Sequence, residues 1–217
     1  IPLRLVGSEM CIRDSTMNDI KDVAIDREAH PNRPLASGVI SLDSANKFVK
    51  LLWTLSIICV VAGAYLLTTS QHSAIELIAI YVIAITLMIT YDHGPSLKNT
   101  GLKGNIAISI MVGAVILYGA SSVGQLWNNL VWWTAGVVFF TNLAREIIKD
   151  CADMEADKGT RQTLPMSIGL LKSRMTAYVI VMAALVCLYV PYWKGPFEFY
   201  QLILSLIHIS EPTRRRG

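Results

Sequence analysis

Two stretches of this chain concentrate oxygen ligands at helical spacing. In NDIKDVAID, Asn18, Asp22 and Asp26 recur at i, i+4 and i+8, which puts all three on one face of a helix. In REIIKDCADMEADKGTRQTLP, which runs from Arg145 to Pro165, Asp150, Asp153 and Asp157 fall at i, i+3 and i+7 and share a helical face in the same way. Like charges at this spacing cost a helix about 0.2–0.5 kcal/mol per pair, and a hard divalent cation is the usual compensation. One such cluster alone reads as a solvated acidic turn. Two of them, far apart in sequence, suggest a single site assembled in space. Arg27, Arg33, Lys149 and Lys158 stand within a few residues of the acids. Carboxylates joined through Mg2+ with bases around them suit a polyphosphate, because the metal bridges protein and phosphate oxygens while the bases neutralise the remaining charge.

The elements that position these faces are apolar. Of the 217 residues, 53% are hydrophobic and 16% charged, and the apolar residues come in blocks close to the roughly 20 residues needed to cross a bilayer core. The expected fold is an all-α, polytopic transmembrane helix bundle. Spans are expected at about 45–69, 73–91, 104–122, 129–148 and 175–190, with a sixth beginning at 197–203. Pro31, Pro34 and Gly38 mark a loop after the first acidic face, and 92–103 is a polar loop that carries Lys98 and Lys103. Four spans lie between the acidic faces, and an even number of crossings returns the chain to the side it left. Twelve bases, from Lys21 to Arg174, fall on that side, and the opposite turns offer Lys194. By the positive-inside rule the acids face the cytoplasm, in a multi-pass protein of the cell membrane.

The ends read differently. The head contains VGSEMCIRDS and the tail LSLIHISEPT. One DNA encoding of Met10 to Asp14 has a reverse complement that reads as Leu204 to His208, so both strings resemble one sequencing adapter translated from opposite strands. The expected organisation is an adapter-like segment at 1–15, a partial transmembrane domain at 16–203 and a second adapter-like segment at 204–217. The fragment as written is therefore expected to be inactive. Setting the ends aside removes five arginines and three acids from the formal charge of +3, so the basic balance says little about partners, and no nucleic-acid ligand is expected. Cys59, Cys151 and Cys187 lack metal-ligand spacing.

A membrane-boundary site for a polyphosphate selects a substrate with a charged head and an apolar tail, and prenyl diphosphates meet both requirements. The residues resemble the UbiA-type intramembrane prenyltransferases. Asn18, Asp22 and Asp26 match that family's N-x-x-x-D-x-x-x-D motif, Arg33-Pro34-Leu35 with Ser37-Gly38 the segment that follows, and Asp153 and Asp157 its D-x-x-x-D motif. Tyr91 with Leu97-Lys98 resembles its intermediate loop. The resemblance implies a nine-span bundle, truncated here at both ends, and Mg2+ held by Asp22, Asp26, Asp153 and Asp157, with Asp150 beside them. It implies diphosphate binding by Asn18, Arg33, Lys98 and Lys149, and a developing carbocation faced by aromatic rings such as Tyr91 or Phe140.

KDCADMEADKGTRQTLP is further similar to the archaeal geranylgeranylglyceryl phosphate geranylgeranyltransferases, whose acceptor is a glycerol hydroxyl. The sequence departs at Cys151, Ala152 and Ala156, which leaves aromatic acceptors of the homogentisate, hydroxybenzoate, chlorophyllide or haem type open. Oligomeric state is not legible. An ion-coupled transporter is the reading from another class. Transporters place coupling acids near the midplane, whereas every acid here sits at a span end or in a loop, where the insertion cost of roughly 2.5–3.5 kcal/mol for a central charge is avoided.

Overall fold

The computed structural model describes residues 16–17, 19–20, 23–24, 26–28, 31–92, 97, 100–155, 162–198 and 200–203. Asn18, Asp22, Lys98, Asp157 and both adapter-like segments lie outside the described residues. The described residues are helical or in turns, with no strand among them. The chain divides into two compact units, residues 1–78 and 79–217.

In the first unit, the described residues of 16–28 are helical, and a proline-containing turn then leads into α1, Leu42–Thr69. Ser41 is in an extended conformation and its Oγ accepts from the amide of Ser44 at 3.1 Å, satisfying one of the donors that open a helix. At 28 residues α1 is about 42 Å long by the 1.5 Å rise, more than the roughly 30 Å hydrocarbon core. Its outer face exposes Leu51, Ile58, Val61 and Tyr65. A helix that is apolar on its exposed side is shaped for lipid, where outward-facing hydrocarbon carries no penalty. α2, Ile75–Asp92, begins in this unit, where the fully buried Leu77 packs 3.3 Å from the place a Cβ would take at Gly63 of α1.

The second unit holds the rest of α2, then α3, Leu102–Ser121, α4, Asn129–Ala152, a short α5, Leu164–Ile168, and α6, Leu170–Lys194. The central element is α4, which packs against both α3 and α6. Leu143, Ala144 and Ile147 of α4 and Ala177 of α6 form the buried core, joined by Leu102, Ile106, Phe139, Leu164 and Ile180. Small side chains set the spacing of these helices. A Cβ on Gly136 would stand 3.0 Å from Cys187 Sγ, so α4 and α6 approach at that point as closely as glycine permits.

The helices match the expected spans within a few residues, with three differences. Among the described residues three helices qualify as spans by length and composition: α1, α3 and α6, with mean hydropathy 2.1, 1.7 and 1.9 over 18-residue windows. α2 is apolar but shorter, and α4 carries Arg145, Glu146, Lys149 and Asp150 in its last two turns. The loop expected up to Lys172 contains α5, which has a proline in its first turn, where the missing amide costs nothing. Finally, α4 ends at Ala152 with Asp153 as its C-cap, at φ −91° and ψ 4°. Asp150 therefore lies within α4 and Asp153 stands at its cap, its amide still donating to the Lys149 carbonyl at 2.9 Å. Acids at this position face the negative end of the helix dipole, where each added charge adds repulsion.

Candidate active site

In the first unit the functional side chains come from the helical residues up to Glu28 and from the turn after them. Pro34 ends any helix at Arg33, and the amides of Ser37 and Ile40 donate back to the carbonyls of Arg33 and Pro34 at 2.8 and 3.0 Å. This fold-back aims Arg33 at the preceding helix. Its Nη1 donates to both oxygens of Asp26, at 2.8 and 2.7 Å, and lies 4.0 Å from Asp19 Oδ1. The Asp26 side chain is 8% exposed and that of Arg33 49%, so a buried anion is compensated by a cation that remains open to one side. That side is a cavity of about 710 Å3 lined by Thr16, Asp19, Asp26, Arg33, Ser44 and Phe48 among others. Asp19 was not singled out from the sequence, because it falls off the i, i+4, i+8 spacing. Its place on the cavity wall is set by the fold.

In the second unit the acids gather at the end of α4. Asn105 Nδ2, from the first turn of α3, donates to Asp150 Oδ2 at 2.7 Å. Asp153 is exposed at the cap. Lys149 is largely exposed, 3.7 Å from Glu146 Oε2, and Arg145 Nη1 donates to Glu146 Oε1 at 3.2 Å. Glu146 itself is buried, a carboxylate the motif spacing did not mark. Beyond the end of the expected span, burial pushes the Cys151 thiol up, with Asp150 adding to the shift and the charge of Arg174 opposing it. A thiol held protonated is a poor metal ligand. Tyr91 is partly buried at the end of α2, and Phe140 meets Phe139 edge-on at 5.0 Å, so Phe140 has a packing partner within its own helix.

The structure thus joins Asp26 with Arg33 in one unit, and Lys149, Asp150 and Asp153 at one helix end in the other. Asn18, Asp22, Lys98 and Asp157 remain outside the described residues. Among the described residues no three His, Cys, Asp or Glu side chains converge as a metal cage. The donors that are present are carboxylates, which suit a hard cation such as Mg2+.

A sequence profile of the UbiA prenyltransferase family matches residues 11–212. The digeranylgeranylglyceryl phosphate synthase of Methanopyrus kandleri is 31% identical over 93% of this chain and 70% of its own length. That of Methanoculleus marisnigri is 34% identical over 84% of this chain and 62% of its own length. A solved structure presented as "Structural and mechanistic insights into the biosynthesis of Digeranylgeranylglyceryl phosphate synthase in membranes" superposes with a TM-score of 0.73 at 29% identity, covering 95% of this chain and 69% of that one. The chain spans less than the full length of each of these relatives.

Proposed function

The chain belongs to the UbiA prenyltransferase family, and from that premise we propose that it forms part of an integral membrane enzyme that transfers a geranylgeranyl group from its diphosphate to the hydroxyl of geranylgeranylglyceryl phosphate. The observation that carries this reading is the buried Asp26 carboxylate paired with Arg33 on the wall of a 710 Å3 cavity. A carboxylate and a half-exposed guanidinium side by side offer one group to a cation and one to a phosphate.

Mg2+ would be held by carboxylates drawn from Asp22, Asp26, Asp150, Asp153 and Asp157. When bound it supplies charge balance for the diphosphate as that group leaves. The remaining work falls to the chain itself. Arg33, Lys98 and Lys149, with Asn18, hold diphosphate oxygens through hydrogen bonds that strengthen as negative charge accumulates there. An aromatic face such as that of Tyr91 would stabilise positive charge developing at the allylic carbon. The bond from that carbon to the diphosphate oxygen breaks, a bond to the acceptor oxygen forms, and the hydroxyl proton is lost. The four helices between the motifs and the bases on the motif side support a site facing the cytoplasm.

The test is to incubate the full-length protein with labelled geranylgeranyl diphosphate, Mg2+ and, separately, geranylgeranylglyceryl phosphate, homogentisate and hydroxybenzoate. An ether product from the first acceptor is expected. Alkylation of an aromatic carbon alone would overturn the acceptor assignment, and no transfer to any acceptor would overturn the activity.

A further inference from the structure

We propose that the first turn of α3 positions the second acidic motif from both flanks, with Asn105 holding the Asp150 carboxylate and Gly101 admitting the backbone of residues 162–164. The inference rests on the functional reading above and names residues the family motifs do not include.

On the near flank, Asn105 is 9% exposed and its amide reaches Asp150 Oδ2 at 2.7 Å across 45 residues of sequence. Asn105 is itself part of a buried polar ladder. Ser109 Oγ donates to the Asn105 carbonyl at 2.6 Å, and Asn142 Nδ2 of α4 donates to Ser109 Oγ at 3.1 Å. Polar groups in an apolar seam bond strongly and have few alternative orientations, so the amide that meets Asp150 belongs to a rigid strip joining α3 to α4.

On the far flank, Gly101 has φ +60°, and a Cβ there would stand 2.6 Å from the Gln162 carbonyl oxygen and 3.5 Å from Leu164 N. Both the left-handed backbone and the contact with main chain exclude any larger residue. Gly101 is the N-cap of α3, and its carbonyl accepts from the Asn105 amide at 3.2 Å. The two flanking contacts therefore lie one hydrogen-bonded helical turn apart. Asp153 and Asp157 fall between Asp150 and Gln162 in sequence, so the segment that carries them is hydrogen-bonded at one end and closely approached at the other by the same five residues, 101–105. This turn continues directly from the segment that bears Lys98, where Thr100 closes back on the Leu97 carbonyl with its amide at 3.0 Å and its hydroxyl at 2.6 Å.

Side chains that hold a metal-binding carboxylate in place commonly matter about 10–100-fold in metal affinity. Mn2+, standing in for Mg2+ and read by electron paramagnetic resonance, is titrated into the full-length protein and into Asn105→Ala, Asp150→Ala and the double variant. Asn105→Ala is expected to weaken Mn2+ binding about tenfold and to have no further effect in the Asp150→Ala background, because it acts through that carboxylate. Asn105→Leu, close in volume, carries the same expectation should the alanine variant fail to fold. Equal losses in both backgrounds, no loss from either Asn105 variant, or no Mn2+ binding by the parent protein would overturn the inference. Prenyl transfer measured on the same samples separates the two claims. Coupling without transfer sinks the functional reading alone, and transfer without coupling sinks this inference alone.

Discussion

The two acidic motifs are held by opposite strategies. Asp26 is buried and fixed by a partner seven residues away, across a single proline-bearing turn. Asp150 is fixed by an amide from another helix, 45 residues away, and its neighbour Asp153 stands exposed at a helix end. The first arrangement is a local ion pair whose anion has left water, so its stability depends on keeping the partner. The second places acids at the negative end of a helix dipole, a position that costs about 0.3–1 kcal/mol per charge at the surface. An exposed acid that opposes its own helix adds nothing to folding, whereas the proposed role of Asp26 in metal binding comes together with a structural one. The two regions should therefore answer differently when the same kind of change is made in each.

The largest contrast is expected at Asp153. In the full-length protein Asp153→Ala should lower prenyl transfer by about a thousandfold, equivalent to about 4 kcal/mol of lost transition-state stabilisation. Thermal unfolding in detergent should stay where it is or rise slightly, because the cap loses a repulsive charge. A fall in stability that tracks the fall in rate would break the comparison, since it would make Asp153 a structural residue like Asp26.

The middle effect belongs to Arg33. Arg33→Ala leaves the Asp26 carboxylate buried without the cation that contacts both its oxygens. Stability should fall by about 1–3 kcal/mol, with the lower half of that range favoured because half of the arginine is in contact with solvent. Arg33→Lys should recover part of the stability and less of the activity, because an ammonium replaces the charge but not the planar donor set. Unfolding of Arg33→Ala indistinguishable from the parent would show that the pair is not what holds Asp26.

The same contrast explains what the sequence could reveal. The Asp26 pairing was legible because both partners sit within one short stretch, and proline and glycine announce the turn between them. Helix extents were legible because apolar blocks in a membrane protein have to match a bilayer, and the observed ends fall near the expected ones. The polar hold on Asp150 was not legible: Asn105 and Ser109 look like ordinary small polar residues in an apolar run, and only packing of α3 on α4 gives them partners. Glycine at 101 was visible as a loop residue, but the close passage of Gln162 that requires it comes from the tertiary fold. The spacing of the acids carried no sign that α4 ends at Ala152 with Asp153 at its cap.

The smallest effect sharpens the comparison by separating distance from burial. Lys47 Nζ lies 2.7 Å from Asp43 Oδ2 in the first turns of α1, the same separation as the closest Arg33 contact to Asp26. Here the side chains are 75% and 73% exposed. In water the attraction of such a pair is screened, and holding two flexible side chains together costs entropy, so an i,i+4 pair contributes about 0.3–0.5 kcal/mol. Asp43 also interacts favourably with the positive end of α1 whether or not Lys47 is present. Lys47→Ala should therefore change stability by less than about 0.5 kcal/mol and leave prenyl transfer at the parent rate. Measured beside Arg33→Ala by the same thermal unfolding, it compares two ion pairs of equal length that differ in exposure. If Lys47→Ala cost as much as Arg33→Ala, burial of Asp26 would not be the source of the first motif's dependence on its arginine, and the distinction between a motif held for stability and one held for chemistry would fail with it.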